Sequence, residues 1–217
     1  MNKNQTPKQD SRETRFSLSN IELRADDDKE KPSKVVGYAA MFNKRSENFG
    51  SDDYPFFEVI APGAFADVLN DDVRAVIDHS GGLQTLARTK SGTLQLSEDT
   101  LGLRFEFEAP DTTAGRDIVT ILQRGDIDQA SFSFNIAKGG DSYENKEENG
   151  KQVAIRTITK VGRLYDVSPV TYPAYPDTIV QSRSAENFLN EQKEKVRIRN
   201  HNKRARTIRL HELETNL

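Results

Sequence analysis

The chain of 217 residues holds only three histidines, His79, His201 and His211, and no cysteine. His201 and His211 fall in a strongly basic C-terminal run, so the apolar middle of the sequence carries a single imidazole. A zinc site of usual composition needs two or three His or Cys ligands, so metal-assisted hydrolysis is disfavoured. No Asp/Asn/Gly loop has the ligand spacing of a calcium site, and no glycine-rich loop has the spacing that cradles phosphate. The sequence therefore calls for no cofactor and no metal. The missing cysteine also removes disulfides and a thiolate nucleophile. One imidazole is still enough to activate a serine, which at its free pKa needs a base within hydrogen-bond reach. His79 stands at the end of an apolar strand beside Gly81 and Gly82, where the backbone can stay open to a substrate. The plainer reading is a histidine on a surface loop.

Ser131 and Ser133 share one face of the segment Gln129–Ile136, opposite Phe132, Phe134 and Ile136. The plain reading is that both serines face solvent. Two residues along a strand span ~6–7 Å, so only one can pair with a given imidazole, and the alternation does not choose between them. Asp166 lies within Leu164-Tyr165-Asp166-Val167, although Asp is depleted in strands. An unpaired buried carboxylate is costly, so Asp166 needs a donor: a histidine nitrogen, or an arginine such as Arg163 or Arg104. Asp78 is the rival orienter of the imidazole. Adjacent side chains of an extended strand point to opposite faces, which argues against it.

The elements that must position these residues can be read from the apolar pattern. Val35–Phe42 and Phe56–Ile60 read as strands, and Pro62 opens a short helix with Phe65, Val68 and Leu69 as its stripe. Val73–Asp78 is a strand running into a glycine loop at His79-Ser80-Gly81-Gly82. Leu94 and Leu96, then Leu101, Leu103, Phe105 and Phe107, alternate with polar residues as a hairpin around the turn Ser97–Thr100. Asp111 or Thr112 caps a helix with the stripe Ile118, Ile121 and Leu122, closed by Gly125. Gln129–Ile136, Val153–Ile158 and Arg163–Val170 are further strands. Gly139–Lys151, rich in Gly, Asn and Glu, reads as a mobile loop, either a lid or a linker. About seven strands with mostly antiparallel connections and two short helices make an α+β fold, expected to curl into a small β-barrel.

Charged residues make up 30% of the chain and hydrophobic residues 35%, and the mean hydropathy is −0.74. The polarity is concentrated at the ends. Residues 1–32 read as a flexible N-terminal arm, residues 33–183 as one folded domain, and residues 184–217 as a basic helical tail. Acid is gathered at Asp26–Asp28 and Glu144–Glu148, although the net charge is only −3. No apolar run approaches the roughly 20 residues of a membrane span, and the N-terminus lacks the apolar region of a secretory signal. The expectation is a soluble intracellular protein. The basic run from Lys193 to Arg209 suits nucleic acid or an acidic partner surface, with a solvated helix and linker preferred.

Several short motifs then occur in a telling order. They are Val36-Gly37-Tyr38-Ala39-Ala40, Glu58-Val59-Ile60-Ala61-Pro62-Gly63-Ala64-Phe65, Asp78-His79, Gly115-Arg116-Asp117, Arg124-Gly125-Asp126, Ala130-Ser131-Phe132-Ser133-Phe134, and the run from Val167 to Pro176. In this order the chain resembles the phage prohead proteases of the HK97 type, which are distantly similar in fold to the herpesvirus maturation proteases. The resemblance covers about Val35 to Ser182 and makes residues 33–183 the protease domain. It implies His79 as the catalytic histidine and Ser131, the first serine of a Ser-Phe-Gly-Phe pattern, as the nucleophile. It also implies Asp166, before the Val-Ser pair, as the acidic third member. Ser133 stands where the family usually has glycine, and Asp78-His79-Ser80 with Ala87-Arg88 replaces the usual surroundings of the histidine.

The same resemblance implies a serine endopeptidase of capsid maturation. Its substrates would be scaffold protein or the scaffolding segment of the major capsid protein, and the enzyme itself, with self-association a further expectation. It would act inside the assembling prohead in the bacterial host cytoplasm, without membrane partners, and its tail would dock it to scaffold or shell. The rival reading is a non-cleaving assembly or scaffolding protein that keeps the protease fold.

Overall fold

A computed structural model of the chain describes residues 12–24 and 32–171, together with positions 194, 197 and 198, which are helical. The motif run beyond residue 171 and almost all of the basic tail lie outside the described residues.

Among the described residues between 12 and 171 there are twelve strands and one helix, and the strands form three sheets. The first sheet joins β1 (Glu13–Asn20), β9 (Gln129–Ile136), β12 (Val161–Val170), β5 (Arg74–Ile77) and β6 (Ser80–Arg88), in that spatial order. The second joins β2 (Glu22–Arg24), β3 (Lys34–Met41), β8 (Gly102–Glu108) and β7 (Leu94–Glu98). The third joins β10 (Asp141–Glu148), β11 (Lys151–Ile158) and β4 (Phe56–Ile60). The helix α1 spans Thr113–Arg124.

The described residues are thus mostly β, and their sheets do not close into the expected barrel. Most neighbouring strands are antiparallel, but β12 pairs with β5 in parallel and β11 with β4 in parallel. Those parallel pairs join strands far apart in sequence, and the strands fall into three open sheets instead of one continuous ladder. Counting strands and assuming local antiparallel connections does not reveal such crossovers.

The core lies where the sheets and α1 meet. Phe65, Phe105, Phe132, Phe134, Leu103, Leu164 and Ile118 are completely or almost completely buried. Phe132 stacks on Phe134 at 4.8 Å between ring centres, and Phe65 meets Phe132 edge-on at 5.5 Å. This arrangement suits aromatic quadrupoles and pins β9 by its apolar face. Thr112 caps α1 by accepting from the Gly115 amide, and Gly125 ends it at φ 76, as the sequence pattern indicates.

Three expectations change. Residues 62–70 supply Phe65 and Val68 to the core but form successive turns instead of a helix, with bonds such as Val68 N–H to Phe65 C=O at 2.9 Å. Gly63 at φ 84 adopts a left-handed conformation that a right-handed helix cannot contain. The segment read as a mobile loop is strand β10, paired to β11 from Asp141↔Ile158 to Glu148↔Lys151. Its two-residue turn, Asn149-Gly150, has φ of 52° and 74°, as a tight hairpin requires. Finally, the segment assigned to the arm contributes β1 and β2, which pair with β9 and β3. A polar edge strand can be held by a neighbour's backbone without an apolar face of its own.

Candidate active site

The serine-bearing face of β9 is not a solvent face. Ser131 is 0% exposed and Ser133 1%, because β1 lies alongside and His79 lies across them. Antiparallel pairing sets Phe16 opposite Ser131 and Thr14 opposite Ser133. On the other side of β9, β12 brings Ser168 opposite Ser131 and Asp166 opposite Ser133. Three adjacent strands therefore direct polar side chains to one place, and strand alternation keeps Phe132 and Phe134 of β9 on the opposite, core-facing side.

His79 arrives from a different element. Asp78 and His79 are the two residues between β5 and β6, with φ of 48° and 56°, and Ile77 pairs with Ser80 across them. Positive φ at both central positions defines the tight hairpin connection that matches strand twist. For residues other than glycine it carries strain, which the surrounding contacts must hold. Asp78 supplies one such contact: its carboxylate accepts from the Thr171 amide at 2.7 Å and the Thr171 hydroxyl at 2.8 Å. Asp78 is therefore turned away from the imidazole. The extended-strand alternation used against it does not apply, since the backbone there is left-handed. Beyond Ser80 the β5–β6 ladder breaks and resumes at Thr85, leaving Leu83 97% exposed.

The imidazole bridges two partners. Nε2 lies 2.5 Å from Ser131 Oγ, and Nδ1 lies 2.5 Å from Asp166 Oδ1. With Nδ1 protonated, that nitrogen donates to Asp166 and leaves Nε2 free to accept the Ser131 proton. Ser133 Oγ lies on the Nδ1 side, at 3.4 Å, so the two serines occupy inequivalent positions. Ser131 has a second acceptor for its one proton, the backbone carbonyl of Arg15 at 2.9 Å.

The buried Asp166 carboxylate is fully used. Oδ1 also accepts from Ser168 Oγ at 2.9 Å, and Oδ2 accepts from the Arg12 guanidinium. Burial pushes this carboxyl up, but His79, Ser168 and Arg12 outweigh burial and hold it below its ordinary value. The donors foreseen as alternatives lie elsewhere. Arg163 stacks over Tyr165 at 5.0 Å, and Arg104 pairs with Glu106 at 2.5 Å. Sequence reasoning passed over Ser168 and Arg12. Ser168 was within reach, because period 2 along β12 sets it on the same face as Asp166. Arg12 was not, because nothing local joins it to residue 166.

Residues 19–191 match the family described as caudovirus prohead serine protease. The chain belongs to that family.

This prohead protease thus carries His79, Ser131 and Asp166 in one hydrogen-bonded line within the matched stretch. Among solved structures, the capsid assembly protease gp21 of bacteriophage T4 is similar at 8% identity and a TM-score of 0.35, covering 73% of this chain and 98% of that one. No curated protein matches the sequence. Among the described residues, no cluster of three or more His, Asp or Glu could hold a metal ion, and no helix is long and apolar enough to cross a membrane.

Proposed function

We propose that this prohead protease is a serine endopeptidase with Ser131 as nucleophile, His79 as general base and Asp166 as the residue that orients the imidazole. The observation that carries the reading is the line Ser131 Oγ–His79 Nε2, His79 Nδ1–Asp166 Oδ1, both links at 2.5 Å. His79 takes the Ser131 proton as Oγ adds to a peptide carbonyl, then returns it to the leaving amine. Asp166 stays ionised and stabilises the imidazolium in the tautomer that keeps Nε2 toward the serine. Its lowered pKa suits that role.

The substrates we assign are scaffold protein or the scaffolding segment of the major capsid protein, and the protease itself, cut inside the prohead in the host cytoplasm. Confinement in a shell supplies the high local concentration that suits such an enzyme. The HK97-type placement, the fold likeness to herpesvirus maturation proteases, self-association and a tail that docks to scaffold or shell belong to the same proposal, and rest on the order of sequence motifs. So does the division into residues 1–32, 33–183 and 184–217, with one amendment: β1 and β2 join the folded body.

A second reading, a non-cleaving assembly protein, is favoured by the burial of Ser131 beneath β1. Co-expression with the capsid protein of the same phage separates the two. Intact masses should show a capsid fragment with the wild type and full-length capsid protein with Ser131→Ala. Full-length capsid protein in both cases would overturn the protease reading, and loss of cutting in Ser133→Ala alone would move the nucleophile to Ser133.

A further inference from the structure

Strand β1 lies on the candidate nucleophile in the manner of a substrate. It adds to the edge of β9 through backbone pairing, the arrangement by which extended peptides bind sheet edges. The Arg15 carbonyl oxygen is 2.9 Å from Ser131 Oγ. A C=O bond of about 1.2 Å then sets the carbonyl carbon about 3–4 Å from Oγ, at the outer edge of attack distance.

The side chains of β1 are received as specifically as its backbone. The buried Arg15 guanidinium donates through Nε to Glu58 Oε2 and through Nη2 to Glu58 Oε1 at 2.9 Å. Glu13, two residues earlier and on the same face, accepts from Arg156 at 3.0 and 3.2 Å. Arg156 also donates to Glu58 at 2.7 Å and to Asp141 at 2.8 Å. Glu13, Glu58 and Arg156 are each 3% exposed or less. Thr14, facing the other way, meets Ser133 Oγ at 3.1 Å. Glu58 and Arg156 belong to β4 and β11 of the enzyme body, whereas Glu13 and Arg15 belong to the strand laid across it. The family match begins at residue 19, after this segment.

We infer that the Arg15–Phe16 peptide bond is a self-cleavage site, and that Glu58 and Arg156 select substrates with a basic residue on the acyl side of the cut and an acidic residue two positions before it. The inference rests on Ser131 being the nucleophile. Ser131 Oγ adds to the Arg15 carbonyl carbon as its proton passes to His79 Nε2. The tetrahedral adduct collapses, the C–N bond to Phe16 breaks, and His79 gives its proton to the departing nitrogen. Water then adds to the Arg15 ester, losing a proton to His79, and Ser131 leaves with that proton. One water is consumed per bond, and the products are a fragment ending at Arg15 and a chain beginning at Phe16.

The selectivity follows from charge. Arg15 neutralises a carboxylate that is almost wholly withdrawn from water, so an acidic residue in its place sets like charges together in a buried site. A loss of at least about 30-fold in cleavage rate is expected for such a replacement.

The test is intact mass and N-terminal sequencing of the purified full chain over time, in wild type, Ser131→Ala, Arg15→Lys and Arg15→Glu. A fluorophosphonate probe of the serine is applied to the same samples. To guard against an Arg15→Glu chain that pairs poorly, the peptide spanning Ser11–Asn20 and its Arg15→Glu counterpart are also offered to the wild type in trans. The expected result is a new N-terminus at Phe16 in wild type and Arg15→Lys, none in Ser131→Ala, and at least 30-fold slower cutting of the Arg15→Glu peptide. A chain that labels at Ser131 yet keeps Arg15–Phe16 intact, or is cut only elsewhere, overturns this inference and leaves the protease reading standing. Equal cutting of the two peptides overturns the selectivity. A chain that neither labels nor cuts any substrate overturns both.

Discussion

At the scale of single residues, the imidazole makes the two serines unequal. Ser131 stands on the nitrogen that must accept a proton, and Ser133 on the nitrogen already committed to Asp166. Replacing Ser133 by Ala should therefore change kcat by less than about tenfold, the size of one weak hydrogen bond. Asp166→Asn should lower kcat by about 10,000-fold, because the amide no longer enforces the productive tautomer. Equal losses in the two variants, measured on a capsid-derived peptide, would mean that the orienting role is misassigned. The sequence could name the imidazole, since one histidine in the apolar middle leaves no competitor. It could not choose the serine by physics, since period 2 is blind to which of two equivalent positions the base approaches. That choice came from family pattern alone.

At the scale of elements, the base is held by a two-residue turn in which Asp78 and His79 both have positive φ. Such a turn prefers glycine, so the imidazole is kept there at a cost in stability. His79→Gly should be about 1 kcal/mol more stable than His79→Ala, since neither keeps the imidazole and only Gly is free of the left-handed penalty. Urea unfolding of the two inactive variants measures the difference, and a more stable Ala variant would contradict the turn geometry. Elements with an apolar period or a capping residue were legible in the sequence: β3, β4, β5, β7, β8, β9, β11, β12 and α1. The hairpin of β10 and β11 was read as a loop, although Asn149-Gly150 is the strongest short turn signal available. It was hidden by the polarity of β10, whose residues face water. The fate of residues 62–70 turned on Gly63 adopting a left-handed conformation, which its apolar neighbours do not announce. β1 was not legible, because its partners Ser131 and Ser133 lie more than a hundred residues away and its own composition is that of a tail.

At the scale of the whole molecule, the buried charges tie stability to pH. Burial pushes the Glu58 carboxyl up, but Arg15 and then Arg156 overcome it and hold it below its ordinary value. Asp166 is lowered as well. Both groups bind protons more readily in the unfolded chain. Their contribution is therefore fully present above the ordinary carboxylate range of about 4, and is lost as pH falls through the lower folded values. Denaturant midpoints measured between pH 7 and pH 2 should fall steeply at the acid end. Glu58→Gln should start lower at pH 7 and fall less, and an unchanged acid slope would remove Glu58 from the account. The sheet order carries a last consequence, because β1 is the outermost strand beside β9. Once the fragment ending at Arg15 departs, β9 loses the partners of Phe132, Ser133 and Phe134 while Phe16 and Ser17 stay paired, and that uncovered stretch is an unpaired edge of the kind that makes sheet proteins aggregate. In dilute buffer another protease molecule is the nearest extended chain, so light scattering should rise after processing and fall again when the peptide Ser11–Asn20 is added back.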